Sequence, residues 1–399
     1  MKSKIRALLG CAVAISFLYF LWSFALTDRS LIYSQNTAFL VFQNFLWRLG
    51  ENRALITGVY VFLVLSMFLL YWAVHRDIEN IIKLRNKRFL IATVFAFLGF
   101  FVISNPALSY DLFNYIFDAR MVLQYHVDPH VHAAIEYNAV DPWVRFMRNI
   151  FFPTTYGYVW TAISLVPYLI GLGKFLTVFV SFKLYMLLSY YVLFVIQHRA
   201  LKASAKSLFL FFASPLVLLE TLSSGHNDLW MMALALASIA LIFQKPKRNA
   251  VLLSLILLIA SAFIKRSTVL LAPIWLLFVF GNFPWFRKIS QLLRPWWADI
   301  GALLLFIPLL TPLSRFFNPW YLLWPLSFMP FMRSKLLRTF LICFSLTSSL
   351  RYVPILWIGV YSDKLDTIQK IITWSAVPIA VCIYLLLKPI LKKFPTLFG

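Results

Sequence analysis

Apolar residues in this chain come in runs of about 20, set apart by short polar and basic stretches. At 1.5 Å per residue, a helix of roughly that length crosses a ~30 Å hydrocarbon core. The runs predict full spans at about 8–27, 54–74, 89–106, 174–197, 207–223, 228–243, 249–265, 267–282, 298–313, 319–331, 337–358 and 369–387. The stretch 319–331 is the least regular, being short and holding Pro319, Pro325 and Pro330. The first run follows Lys2, Lys4 and Arg6 as a signal peptide would. No small-residue cleavage site follows it and further spans do, so it reads as a retained helix. The expectation is an all-α, polytopic membrane bundle of about 12 transmembrane helices in one domain. It divides into three N-terminal spans (1–106), an external loop (107–160) and the remaining spans (161–399).

Composition agrees. Hydrophobic residues make up 62% and charged residues 13%, against roughly 25% charged in an average soluble domain. A soluble globular enzyme and a disordered chain are both excluded. The formal charge of +23 comes from 37 Lys and Arg against 14 Asp and Glu. In a soluble protein that would suggest nucleic acid. In a membrane protein it reflects basic residues collecting in cytoplasmic loops, so no nucleic-acid partner is expected. Seven basic clusters alternate with the spans: Lys2/Lys4/Arg6, Arg76/Lys83/Arg85/Lys87/Arg88, Arg199/Lys202/Lys206, Lys245/Lys247/Arg248, Arg287/Lys288/Arg294, Arg333/Lys335/Arg338 and Lys388/Lys392/Lys393. Assigning all seven to the cytoplasm puts both termini inside and makes the number of full spans even. Residues 104–160 then lie outside and Arg199 inside, so an odd number of crossings separates them. The stretch 157–172 is short and carries Pro167. It is predicted as a partial, re-entrant or interfacial helix, and 174–197 as the crossing. Cys11, Cys343 and Cys382 all fall in apolar spans, without disulfide or metal spacing.

The ionisable residues show where chemistry gathers. Five of the 14 acids, Asp111, Asp118, Asp128, Glu136 and Asp141, lie in the external stretch. Four of the six histidines, His126, His130, His132 and His226, are also placed outside. Ionisable groups at membrane level cost roughly 2.5–3.5 kcal/mol each and commonly mark working sites. In Ser109-Tyr110-Asp111-Leu112-Phe113-Asn114-Tyr115-Ile116-Phe117-Asp118, the residues Asp111, Tyr115 and Asp118 share one helical face. Phe113 and Phe117 form another, expected toward lipid, so the segment reads as an amphipathic interfacial helix. Asp111 begins it, and its plainer role would be an N-cap. Asp118 stands seven positions on from Asp111, about 10 Å along a helix, too far to share a proton or an ion.

The run His126-x-Asp128-Pro129-His130-x-His132 carries imidazoles, which are common metal ligands. Pro129 breaks any helix there, so spacing does not fix a ligand geometry. No metal or other cofactor is expected, and the run remains the place for a divalent ion if one takes part. Ser223-Ser224-Gly225-His226-Asn227-Asp228 forms a turn between two spans. Asn227 or Asp228 can cap the next helix, whereas His226 is free to join a phosphate site at its N-terminus. Glu220, a turn or two earlier, can hold His226 or a basic group. Lys265, Arg266, Arg315 and Arg351 are basic residues on the outer face, suited either to phosphate or to snorkelling toward headgroups.

Taken together, these stretches resemble the GT-C class of membrane glycosyltransferases. Within it they resemble the polyprenyl-phosphate-mannose-dependent group that includes the actinobacterial alpha-1,6-mannopyranosyltransferases. The carrying pieces are Ser109–Tyr115, Val127-Asp128-Pro129-His130, Pro153-Thr154-Thr155-Tyr156-Gly157-Tyr158-Val159-Trp160, Gly225-His226-Asn227-Asp228, Lys265 ahead of Pro273, and Pro319-Trp320-Tyr321-Leu322-Leu323-Trp324-Pro325. They occur in family order over residues 104–330. The chain departs at His130, where a Tyr usually follows Asp-Pro, and at Tyr158, where Pro often follows Tyr-Gly. The resemblance implies an enzyme that takes a sugar, mannose foremost, from a polyprenyl-phosphate donor. An acceptor hydroxyl on a glycan or glycolipid receives it at the extracytoplasmic face of the plasma membrane, with inversion. It implies Asp111 as general base. It makes His226, Lys265, Arg266, Arg315 and Arg351 candidates for the donor phosphate. The substrate-binding candidates are Tyr115, Asp118, Asp128, His130, Tyr156, Asn227, Asp228, Trp320 and Tyr321. Two other readings compete. A lipid or glycolipid flippase would place its site near mid-membrane at a repeat interface. An O-antigen ligase or polymerase would use a long later loop, whereas the long external loop here is early.

Overall fold

The computed structural model describes residues 2–243, 247–310 and 317–393. Among them every regular element is helical. The chain opens with α1 (Lys2–Ala25), α2 (Thr37–Glu51), α3 (Arg53–Ile82) and α4 (Lys87–Ile103). Asparagines start three of these helices. Asn36 accepts from Ala38 N at 3.0 Å, Asn52 from Leu55 N at 3.0 Å and Asn86 from Phe89 N at 3.0 Å. Each satisfies a backbone donor that a helix start leaves without a partner. Along α3 the buried positions Ile56, Tyr60, Leu63, Met67, Tyr71, Val74, Ile78 and Ile81 recur every three or four residues. That stripe packs on α1, while Leu69 on the opposite face is 68% exposed, as a lipid-facing side chain is.

Next come α5 (Asp111–Gln124), α6 (Tyr158–Ile170) and α7 (Phe175–Val195). Then follow α8 (Ala205–Phe212), α9 (Pro215–Val217), which continues as a π-turn over Leu218–Ser223, α10 (Asp228–Ile242) and α11 (Arg248–Ala262). A 3-10 turn over Arg266–Leu271 leads into α12 (Ala272–Phe280). The rest is α13 (Arg287–Leu293), α14 (Trp297–Phe306), α15 (Leu323–Leu326), α16 (Lys335–Leu350), α17 (Val353–Ile358), α18 (Asp363–Trp374) and α19 (Ala376–Lys393). One apolar cluster runs through the bundle from Tyr19 to Ala376.

Six helical segments are long and apolar enough to cross a membrane: Ser3–Ala25, Arg53–Ile82, Phe175–Ala200, Arg287–Leu310, Lys335–Ile358 and Asp363–Leu386. A seventh is the pair Ala205–Phe212 and Pro215–Ser223, bent by 56°. The protein is a polytopic helical membrane protein, but not every expected span is a full-length helix. Segments 228–243, 249–265 and 267–282 appear as the shorter apolar helices Asp228–Ile242, Arg248–Ala262 and Arg266–Phe280. Segment 319–331 is a chain of short turns with Leu322, Leu323, Trp324 and Phe328 buried inside the protein. Its three prolines account for that. Helix α6, at 13 residues with Pro167 inside it, is too short to cross, in keeping with a partial helix.

The main departure is α5. Phe113 is 4% and Phe117 1% exposed, so neither faces lipid. Phe113 packs on Phe146, Phe175 and Phe179. Phe117 joins a cluster with Met121 of the same helix and with Ala134 and Val144 from the following loop. Residues 125–157 fold over this helix, which the periodicity of α5 alone could not show.

Candidate active site

Two glycines set the site's close approaches. Gly225 has φ +79°, a conformation that favours glycine, and a Cβ there would lie 2.9 Å from Leu112 Cδ1. The 223–228 turn thereby closes on the start of α5. A Cβ at Gly157 would lie 1.8 Å from the carbonyl oxygen of Phe263, and Gly157 N donates to Ile264 O at 3.0 Å. The loop before α6 thereby meets the turn that carries Lys265. Between these elements lies a cavity of about 940 Å³. Its lining includes Asp111, His130, Tyr156, Lys265, Arg266, Trp320 and Tyr321.

Asp111 is not a cap. The N-cap position is Tyr110, and the Asp111 carboxylate points to His226, with Oδ2 3.3 Å from Nδ1. The other ring nitrogen of His226, Nε2, lies 3.3 Å from Glu220 Oε2. Both are ion-pair distances whose angles fall outside hydrogen-bond range. Tyr352 donates to Glu220 Oε1 at 3.0 Å, which extends the chain into the bundle. The Trp320 ring stacks on the imidazole at 3.9 Å and 20°. Burial opposes a charge on His226, yet Asp111 and Glu220 outweigh it and raise its pKa to about 9. Burial likewise pushes Asp111 up, but His226, Lys265 and the Tyr156 hydroxyl bring it below its ordinary value. At neutral pH the pair is carboxylate and imidazolium.

Asp228 and Lys265 form a second pair. Nζ meets Oδ1 at 2.7 Å and Oδ2 at 2.8 Å, and Trp324 Nε1 donates to Oδ1 at 2.5 Å. Asn227 occupies the N-cap position of α10, but no side-chain cap bond forms. Tyr115, Asn227 and Asp228 are buried below the cavity rather than lining it. Tyr115 packs edge-on against Tyr156 and Trp160. Asp118 also stands apart, accepting from Thr154 Oγ1 at 2.8 Å, and burial lifts its pKa to about 7. Asp128 accepts from His130 N at 2.8 Å and from the Tyr158 hydroxyl at 3.2 Å. Arg351 does not line the cavity. It is 6% exposed, pairs with Asp366 at 3.6 Å and lies over Phe317. Arg315 lies outside the described residues.

The histidines of the loop do not converge. His132 Nδ1 pairs with Glu136 at 2.8 Å, and His130 Nε2 lies 3.0 Å from Thr161 Oγ1. Among the described residues no group of three or more His, Cys, Asp or Glu is placed to hold a metal. One buried cation escaped the sequence reading. Lys183 on α7 is 3% exposed and donates to Leu222 O at 2.6 Å and Ser223 O at 2.5 Å. It caps the π-turn that leads into His226. Its sequence signal was a lone cation inside an apolar span.

This arrangement is that of a membrane enzyme with an acid–base pair and cations around one cavity. Residues 16–281 match the family described as alpha-(1->6)-mannopyranosyltransferase, N-terminal domain, and the chain belongs to that family. No curated protein and no solved structure matches it. Membership makes it a glycosyltransferase of the mannosyltransferase kind and sets the flippase and O-antigen readings aside. The matched residues include Asp111, His226, Lys265 and Arg266, whereas Trp320, Tyr321 and Arg351 lie beyond them.

Proposed function

We propose that the protein transfers a mannosyl unit from a polyprenyl-phosphate donor to an acceptor hydroxyl at the extracytoplasmic face of the plasma membrane. The observation that carries this reading is one cavity holding both an anionic base, Asp111, and two cations, Lys265 and Arg266. The acceptor oxygen attacks the anomeric carbon and its proton passes to Asp111. The bond from that carbon to the phosphate oxygen breaks. Polyprenyl phosphate leaves with the electron pair, and its charge is met by Arg266 and Lys265. Proton removal of this kind is worth roughly 10²–10⁴-fold.

Among the described residues Asp111 is the one carboxylate lining the cavity. A double displacement uses two carboxyl groups about 5–5.5 Å apart. Glu220 lies behind His226, and Asp228 is held by Lys265 and Trp324. A single displacement, with inversion, therefore suits the site. A lipid donor also suits an outward-facing cavity, where nucleotide sugars are not supplied. Phe263, Val269 and Leu309 give the cavity an apolar flank for the donor's chain.

The test uses purified protein, radiolabelled polyprenyl-phosphate-mannose and a membrane-lipid acceptor mix. Wild type is expected to transfer label, with EDTA present or absent. Asp111→Asn is expected to lose at least about 100-fold while still binding donor. Equal transfer by the variant removes Asp111 as the base. Loss of wild-type transfer in EDTA reassigns charge neutralisation to a metal.

A further inference from the structure

The two walls of the cavity differ in chemistry. The wall from residues 262–269 and 308–309 carries both cations together with Phe263, Val269 and Leu309, which is what a lipid phosphate needs. The adjoining wall comes from the loop before α6 and the first residue of that helix. It presents His130, Asn149, Thr154, Thr155, Tyr156 and Tyr158, with no acid and no Lys or Arg. Two of these form a stack. The His130 and Tyr158 rings lie 3.7 Å apart at 25°. Asp128 ties the pair together, taking the His130 backbone N–H on Oδ1 and the Tyr158 hydroxyl on Oδ2. Thr161 Oγ1 meets His130 Nε2 at 3.0 Å. Burial lowers the imidazole pKa, so the stack is neutral at neutral pH.

We propose that this loop wall is the acceptor site, and that the His130–Tyr158 stack is a platform for an uncharged pyranose ring of the acceptor. The inference rests on the donor lying against Lys265 and Arg266. A pyranose has a C–H face and a hydroxyl edge. The stacked rings bury the first, and the Asn149 amide with the Thr155 hydroxyl can bond the second. The polar contacts of the stack are directed to Asp128 and Thr161, which leaves ring carbon to meet the sugar. Asp128 is then a positioning residue, since both of its oxygens are engaged by the stack. Tyr158 is 57% exposed, so little else depends on its ring.

The experiment measures binding of octyl α-mannoside, without donor, to protein held in a detergent that carries no sugar. Acceptor and donor KM values are measured alongside. Tyr158→Ala is expected to weaken octyl mannoside binding, and to raise acceptor KM, by roughly 5–10-fold. Donor KM should not move. Tyr158→Phe keeps the ring and loses only the bond to Asp128, so about a 2-fold change is expected. Normal transfer by Asp111→Asn would sink the general-base reading and leave this binding result standing. Unchanged binding in Tyr158→Ala, no binding by wild type up to roughly millimolar concentration, or a rise in donor KM alone would each overturn the platform.

Discussion

Two carboxylate–cation pairs meet at the 225–228 turn, and they are built differently. Asp228 has no exposed side-chain surface, gives both oxygens to Lys265 and takes a third bond from Trp324. Three of its roughly four acceptor positions are occupied. Asp111 is 16% exposed toward the cavity and meets His226 at 3.3 Å, outside hydrogen-bond angles. The imidazole in turn sits between two carboxylates, fully bonded to neither. The first pair is a clamp that fixes the Lys265 turn to the start of α10. The second has capacity left for a substrate proton. Similar residue types gathered at one turn thus serve different ends, and the difference lies in satisfaction and access rather than in charge.

The largest effect should come from breaking the clamp. Asp228→Asn leaves the Lys265 ammonium without its counter-charge. Removing one partner of a buried pair costs about 3–5 kcal/mol. Lys265 is 15% exposed, so the loss should sit near the low end, at roughly 3 kcal/mol. Asp111→Asn should stay within about 1 kcal/mol of wild type, since water reaches that site. Thermal or denaturant unfolding of the two variants in one detergent decides it. Equal losses would erase the distinction between clamp and working pair.

The pH profile comes next. His226 has its pKa raised from 6.5 to about 9 in the folded protein. The stability this lends is fully present below 6.5 and is lost as pH rises through about 9. The groups facing the imidazole are Asp111, Glu220 and the Trp320 ring. Once it is neutral, Asp111 keeps its charge but loses the cation that orients it. The transfer rate should therefore be level through neutral pH and fall above about 9. His226→Asn should abolish that limb and move the acid limb upward, because the Asp111 carboxyl is relieved of its main depressing neighbour. A rate still level at about pH 10 would show that the charge on His226 is immaterial.

Much of this site was readable along the chain. The start of α5 at Asp111, the 223–228 turn and the short helix holding Pro167 all follow from local patterns of charge, glycine and proline. What could not be read is partnership across sequence distance. Trp324 lies 96 residues from Asp228 and Tyr352 lies 132 from Glu220. Nothing in either segment marks its partner. Arg351 looked like a phosphate ligand and instead answers Asp366. Helix α5 looked amphipathic because a period shows which residues share a face, not what later chain packs on that face. Lys183 was legible in principle, as a cation alone in an apolar run, but its carbonyl partners belong to a π-turn that periodicity does not predict.

The smallest expected effect separates two cations that the sequence treats alike. Lys265 and Arg266 are neighbours and both line the cavity. The Lys265 charge is already met by Asp228, so a phosphate beside it gains only part of that cation. Arg266 is exposed and has no ion pair among the described residues, and its guanidinium can take two phosphate oxygens at once. Arg266→Gln should raise donor KM about 5-fold, the size expected of a solvent-screened contact. Acceptor KM and thermal stability should not change. Lys265→Gln should behave in the opposite way. It leaves Asp228 buried and short of a partner, and so costs stability before it costs donor affinity. A larger donor KM effect from Lys265 than from Arg266, at equal stability, would mean that the phosphate competes Asp228 away from Lys265. The clamp would then open during the reaction, and the contrast between the two pairs would hold only for the empty site.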